Sequence, residues 1–208
     1  WNHRIQKFTT EGEFVASWGR FGQAETGDAF WGPRDIVIDN QGHLYITDTG
    51  NKRIAIFDLD GNFITSFGEP GLGQGQFDEP TGLAIDAQGN LYVADTWNQR
   101  IQVFEPNEQG IAANYKTEWE IVGWYGQSLD NKPYLTIDSE NRVYVSDPEG
   151  VRILVFSAEG EFLNYWGTFG AGENNFNLPT GLAADDEGNV WVVDTANNRV
   201  LRFDILEE

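Results

Sequence analysis

A short polar loop, Asp-Thr-x-Asn-x-Arg, returns along the chain and constrains it more than any other feature. It occurs as Asp48-Thr-Gly-Asn-Lys-Arg53, Asp95-Thr-Trp-Asn-Gln-Arg100 and Asp194-Thr-Ala-Asn-Asn-Arg199, with a divergent copy at Asp147-Pro-Glu-Gly-Val-Arg152. The chain also begins inside a copy, at Trp1-Asn-His-Arg4. Each loop lies between two alternating apolar runs, and the second run ends in phenylalanine at Phe8, Phe57, Phe104, Phe156 and Phe203. The steps are 49, 47, 52 and 47 residues, a period in the range of stacked repeat architectures.

Each repeat reads as four short strands, A to D. Strand A follows a proline at Pro33, Pro80, Pro133 or Pro179, where a fixed φ and a missing N–H suit a strand's first residue. An Asp-x-x-Gly turn follows, at Asp39–Gly42, Asp86–Gly89 and Asp185–Gly188, with Asn141 in the glycine's place after Asp138. Such a turn needs one left-handed residue, which Gly or Asn supplies. Strands B and C flank the polar loop. A second glycine turn, at Gly12, Gly61 and Gly160, leads to strand D, which ends in aromatic-Gly at Trp18-Gly19, Phe67-Gly68, Tyr125-Gly126 and Trp166-Gly167.

Four-stranded units of this size cannot each bury their apolar faces. Radial packing around an axis buries them, which predicts an all-β β-propeller; a β-sandwich with coincidental spacing is the weaker alternative. The run from Phe77 to Phe104, Phe-Asp-Glu-Pro80-Thr-Gly-Leu-Ala-Ile-Asp86 … Leu-Tyr-Val-Ala-Asp95-Thr-x-Asn98-x-Arg100-Ile-Gln-Val-Phe104, closely resembles the NHL repeat. The resemblance extends over essentially the whole chain and is weakest around Asp147. It implies a propeller, commonly six-bladed.

The expected division is one domain over 1–208, with a partial blade at 1–30, blades at about 31–68, 78–126 and 132–167, and a partial blade at 178–208. The strand count, seventeen, is not a multiple of four. An open arc of a larger propeller is therefore expected, with a closed ring of four or five blades as the alternative. Two arcs associating to complete a ring is a further expectation.

The formal net charge of −20 bears on partners, because binding nucleic acid relies on cations that displace counterions. Nucleic acid is therefore not an expected partner, although some animal members of the family bind RNA. No apolar run reaches the roughly 18 residues of a membrane helix. The chain has no Met and no leader-like segment and reads as excised from a longer protein. Without Cys there is neither a disulfide framework nor a thiol nucleophile. The divergent Asp147-Pro-Glu-Gly-Val-Arg152 copy resembles NHL segments of large bacterial membrane proteins, which implies an extracytoplasmic location.

A residue present in every repeat solves a folding problem that every repeat shares. The pairs Asp48/Arg53, Asp95/Arg100, Asp147/Arg152 and Asp194/Arg199 are accordingly read as a structural clasp between strands B and C. Binding residues are sought where copies differ. At the start of strand A, Thr81 and Thr180 are replaced by Arg34-Asp35 and Tyr134-Leu135, beside the expected channel mouth. Trp97, Trp1 and Trp31 place indoles in loops of the same face, as anchors for a protein, peptide or glycan. A third break is an insertion between Glu105 and Lys116.

With only His3 and His43, neither a His-rich zinc site nor a nucleophile triad can be assembled. No calcium-loop spacing appears, so no cofactor is predicted, and Ca²⁺ coordination by loop acids is the alternative. The expected role is a non-catalytic scaffold that binds through the face carrying the B–C and D–A loops. An enzyme or sensory module using the central channel is the second reading.

Overall fold

The structure, a computed structural model, describes residues 2–24, 26–124 and 131–205. It is built from strands, with single 3₁₀ turns at Thr49–Asn51 and Thr195–Asn197. An N-terminal hairpin pairs β1 (Ile5–Phe8) with β2 (Phe14–Trp18), and a two-residue bridge joins β3 (Arg20–Phe21) to β4 (Ala29–Phe30). The first complete blade is β5 (Pro33–Ile38), β6 (Leu44–Asp48), β7 (Arg53–Phe57) and β8 (Phe63–Phe67). After a second bridge of β9 (Glu69–Pro70) and β10 (Gln76–Phe77) comes β11 (Pro80–Ile85), β12 (Leu91–Asp95), β13 (Arg100–Pro106) and β14 (Ala112–Glu120). The third blade is β15 (Leu135–Ile137), β16 (Val143–Asp147), β17 (Arg152–Phe156) and β18 (Phe162–Trp166). A third bridge, β19 (Thr168–Phe169) with β20 (Asn175–Phe176), precedes a three-stranded sheet of β21 (Pro179–Ala184), β22 (Asn189–Asp194) and β23 (Arg199–Asp204). Apart from the bridges this is the seventeen-strand count read from the sequence. Among the described residues no helix is long and apolar enough to cross a membrane.

Alternation along each inner strand sends successive side chains to opposite faces, and each face packs on a different neighbour. Four apolar cores result. Ile5 and Trp18 pack with Phe30, Ile46 and Phe57; Tyr45, Ile54 and Ile56 with Phe77, Leu91 and Val93; Tyr92, Ala94 and Ile101 with Leu135, Val143 and Val145; Tyr144, Ile153 and Val155 with Phe176, Val190 and Val192. These cores join five sheets in a row, and among the described residues none joins the last sheet to the first hairpin. Trp191, Val193 and Val200, counterparts of the buried Tyr92, Ala94 and Ile101, are exposed on the outer face of the last sheet. Phe8 and Phe14 are exposed on the first hairpin. The blades form an open arc.

The turns obey the sequence. Gly42, Gly89, Asn141 and Gly188 adopt φ of 86°, 83°, 61° and 85°. The aspartate opening each of these turns does more than expected. Asp86 Oδ1 accepts the Gln88 and Asn90 amides at 3.0 and 2.8 Å, and Oδ2 accepts the Tyr92 hydroxyl at 3.2 Å. Asp39, Asp138 and Asp185 repeat the arrangement with Tyr45, Tyr144 and the Trp191 indole N–H.

One strand was mis-registered in the sequence reading. The aromatic-Gly that ends strand D of the second complete blade was placed at Tyr125-Gly126, which lies outside the described residues. Ile101 pairs with Trp119, just as Ile54 pairs with Phe67 and Ile153 with Trp166. A Cβ on Gly160 would lie 2.5 Å from the Trp119 ring, the same contact that Gly61 makes with Trp18. Trp119 is therefore the terminal aromatic, and Glu120 stands where the other copies have glycine. The Glu105–Lys116 insertion is correspondingly smaller and forms a longer β13–β14 hairpin rather than a loop. Asn107 Oδ1 closes its turn by accepting the Gln109 and Ile111 amides, and the Ala112 amide donates to the Tyr45 hydroxyl at 2.9 Å.

The inner strands approach most closely at Gly82. A Cβ there would stand 2.6 Å from Tyr134 Cα and 3.0 Å from the Leu135 nitrogen, both backbone atoms that cannot turn aside. Gly82→Ala should cost about 1–3 kcal/mol by forcing β11 and β15 apart, read as a lower urea midpoint with an unchanged m value. An unchanged midpoint would contradict the close approach.

Candidate functional site at the channel mouth

The clasp comes first because it positions everything around it. Arg53, Arg100, Arg152 and Arg199 each donate Nε–H to the partner Asp Oδ2 at 2.8 Å, and all four aspartates are fully buried. The other carboxylate oxygen accepts a backbone N–H from the preceding D–A loop, from Trp31, Asp78 or Asn177, at 2.7 Å. In the divergent copy Gly150 supplies that N–H from within its own loop, at 3.1 Å. Asn51, Asn98 and Asn197 donate to Oδ2 and also reach a D–A loop carbonyl. Arg100 adds the Leu72, Gly73 and Gln76 carbonyls. Each clasp thus ties strands B and C to the loop arriving from the previous blade, and its polar groups are spent on the chain itself. Burial pushes Asp95 above the usual carboxylate range, even against its hydrogen bonds and Arg100.

Inside the arc the four A strands line a channel of about 530 Å³. Its walls are mostly aliphatic, with Asp35, Tyr134 and Thr136 as the polar exceptions. Arg34, Asp35 and Tyr134 converge at its mouth, as their place at the start of strand A implied. The pKa of Tyr134 is raised by burial and by Asp35, with Arg34 opposing. Asp35 accepts the Leu83 amide of the next blade at 2.8 Å and the Ile36 amide at 2.9 Å. Burial lifts its pKa to about 6 against those two bonds. Tyr134 matches Asp35 in register rather than Arg34: its amide donates to Ser146 Oγ as the Asp35 amide donates to Thr47 Oγ1. β15 lacks the bulge found near Pro33, Pro80 and Pro179. Thr81, at the regular position, stitches to Thr96 Oγ1 and the Pro133 carbonyl.

The tryptophans separate. Trp1 lies outside the described residues. Trp31 packs against Gly50, where a Cβ would come within 2.5 Å of its ring, and Phe21 stands edge-on 6.2 Å from it. Trp97 is 51% exposed, with the Lys132 Nζ 5.3 Å from its ring centroid. Lys132 was not singled out by the sequence, yet its side chain is wholly buried, and among the described residues its Nζ has Glu79 Oε2, at 3.6 Å, as its ionic partner. Burial lowers its pKa, with Arg34 adding to the effect and Glu79 and Asp78 opposing it. The one available signal was positional. Lys132 precedes a strand-A proline, where Gly32, Glu79 and Leu178 all take left-handed φ. Among the described residues no group of three or more His, Asp or Glu is placed to hold a metal ion.

Four-stranded blades set around a channel and tied by a buried Asp–Arg clasp define a β-propeller. The NHL repeat model matches residues 30–57, 77–104 and 176–203, so three of the repeats are NHL repeats. The divergent copy around Asp147 lies outside those matches. The chain is similar to the protein brain tumor of Drosophila melanogaster, 26% identical over 155 residues, covering 74% of this chain and 14% of that protein. It is also similar to the RING finger protein nhl-1 of Caenorhabditis elegans, 40% identical over 67 residues, covering 32% and 7%. NHL repeat-containing protein 3 of Homo sapiens is 32% identical over 79 residues, covering 36% and 23%. The matches thus span less than a quarter of these relatives' own lengths. Among solved structures, a streptogramin B lyase superposes with a TM-score of 0.62 at 18% identity, covering 99% of this chain and 63% of that one. Virginiamycin B lyase from Staphylococcus aureus gives 0.63 at 15%, covering 99% and 64%. At these identities the likeness shows the propeller fold alone.

Proposed function

We propose that this arc is a non-catalytic scaffold that holds a protein or peptide partner on the face carrying the B–C and D–A loops. The observation that carries this reading is the gathering of large exposed apolar side chains there: Phe21, Trp31, Leu72, Trp97 and Phe169 all sit in those loops. Exposed aromatics that keep their rings accessible are the anchors that partner proteins bury. The opposite face carries the acidic turns of Asp58, Asp60, Glu159 and Glu161, with Leu59 and Phe162 exposed beside them. The mostly aliphatic channel wall supports this reading over a catalytic one. A photo-cross-linking residue at position 72 should capture a defined partner in cells, and the same residue at position 60 should not. Equal capture at both positions would reject the assignment of the face.

A further inference from the structure

Beside the channel mouth lies a pocket of about 360 Å³ lined by Gly32, Pro33 and the polar side chains of Asn2, His3, Arg4, Arg34 and Tyr134. In a chain of net charge −20 this composition is exceptional, because every one of these side chains has a polar donor and no carboxylate is among them. Asp35 lines the channel and is engaged by the Leu83 and Ile36 amides. Arg34 and Tyr134 stand together on the wall of this pocket. Arg4 stands at the clasp arginine's place in the first copy, is exposed, and holds no carboxylate among the described residues. His3 accepts the Gly32 amide on Nδ1 at 3.0 Å, which fixes its ring at the rim.

A second feature adjoins the first. The His3 ring stands edge-on to Phe21, with centroids 4.9 Å apart, and Phe21 in turn meets Trp31. Phe21 and Trp31 are both exposed, so an aromatic shelf borders a pocket of donors. Guanidinium groups match a carboxylate's two oxygens with paired N–H bonds. Polyanions meet the repulsion of the whole acidic surface, whereas a single carboxylate is held by short-range donors. A pocket of this size takes one terminal residue rather than a folded segment.

We propose that the pocket receives the C-terminal carboxylate of a partner polypeptide, with the partner's last, apolar side chain lying on the Phe21–Trp31 shelf. This rests on the reading of the loop face as the partner surface. The carboxylate and the apolar group belong to one residue because pocket and shelf share His3.

The test uses the 208-residue chain and fluorescein-labelled hexapeptide pools ending in Phe, Leu or Trp, followed by fluorescence anisotropy. One pool has a free C-terminal carboxylate, a second is amidated, and a third is amidated with an internal Asp. The free-acid pool should bind at least 10-fold more tightly than either amidated pool. Arg34→Gln should remove most of that difference, and Phe21→Ala should remove the preference for a terminal aromatic, with both variants checked for wild-type circular dichroism. Equal binding of free-acid and amidated pools overturns the proposal, as does an absence of binding by any pool. So does equal binding of the internal-Asp pool, which would make this a side-chain site, or displacement by millimolar inorganic phosphate with no response to the free acid. The two readings separate cleanly. Capture at position 72 with no discrimination between pools removes the carboxylate site alone, and discrimination through Arg34 with capture only at position 60 removes the wider face.

Discussion

Asp95→Ala should destabilise the protein by about 3–5 kcal/mol, because it removes the buried counter-ion of the Arg100 guanidinium and leaves it the part-exposed Glu118 carboxylate at 2.9 Å. Arg100 is 7% exposed, and its Nε–H would lose the oxygen now 2.8 Å away. The loss extends beyond the pair, since the Asp78 amide, Asn98 and Gln102 all donate to the same carboxylate. Urea unfolding followed by tryptophan fluorescence measures it. The corresponding Asp147→Ala should cost clearly less, because the Arg152 side chain is 31% exposed and can recover water. Equal costs at the two positions would show that burial of the arginine does not set the energy.

The second expectation concerns Asp35 and pH. Its folded pKa is raised to about 6, whereas an unfolded aspartate titrates near 3.8. Between those values the folded state binds more protons than the unfolded state, so this group's contribution to stability falls as pH rises. The contribution is fully favourable below about pH 4 and is lost above about pH 6, at a cost on the order of 2–3 kcal/mol from 1.36 kcal/mol per unit. Asp35→Asn keeps an acceptor for the Leu83 amide and cannot ionise. It should match the wild type at pH 4 and exceed it in stability at pH 7.5. A difference between the two proteins that stays constant from pH 4 to 7.5 would refute the burial of a charged Asp35.

The local grammar of the chain carried most of the architecture. Alternating apolar residues, left-handed turn glycines and the Asp–Arg spacing are all set within a few residues, so strands A to C were legible in every copy. Strand D of the second complete blade was misread because aromatic-Gly is a local signal, while the true register depends on β13 and on the fit of Trp119 over Gly160. The channel mouth was only partly legible. Arg34, Asp35 and Tyr134 stood out as departures from the repeat. Lys132 and Glu79 did not, since their proximity arises from two blades meeting across the rim. The aspartates of the A–B turns looked like turn residues alone, because their bonds to an aromatic six residues ahead need the hairpin to form first.

The open arc has a consequence for symmetry. Its exposed ends are unlike one another: Trp191, Val193 and Val200 at one, Phe8 and Phe14 at the other. A second copy docked end to end would meet this chain through two different surfaces, a heterologous contact, rather than through one surface twice. Such contacts stop growing only when the rotation between copies closes on itself, and otherwise they propagate as a helix. Whatever covers these two faces therefore sets more than the stability of the terminal sheets. Where a second copy supplies that cover, it decides whether the assembly is a finite ring or a helical polymer.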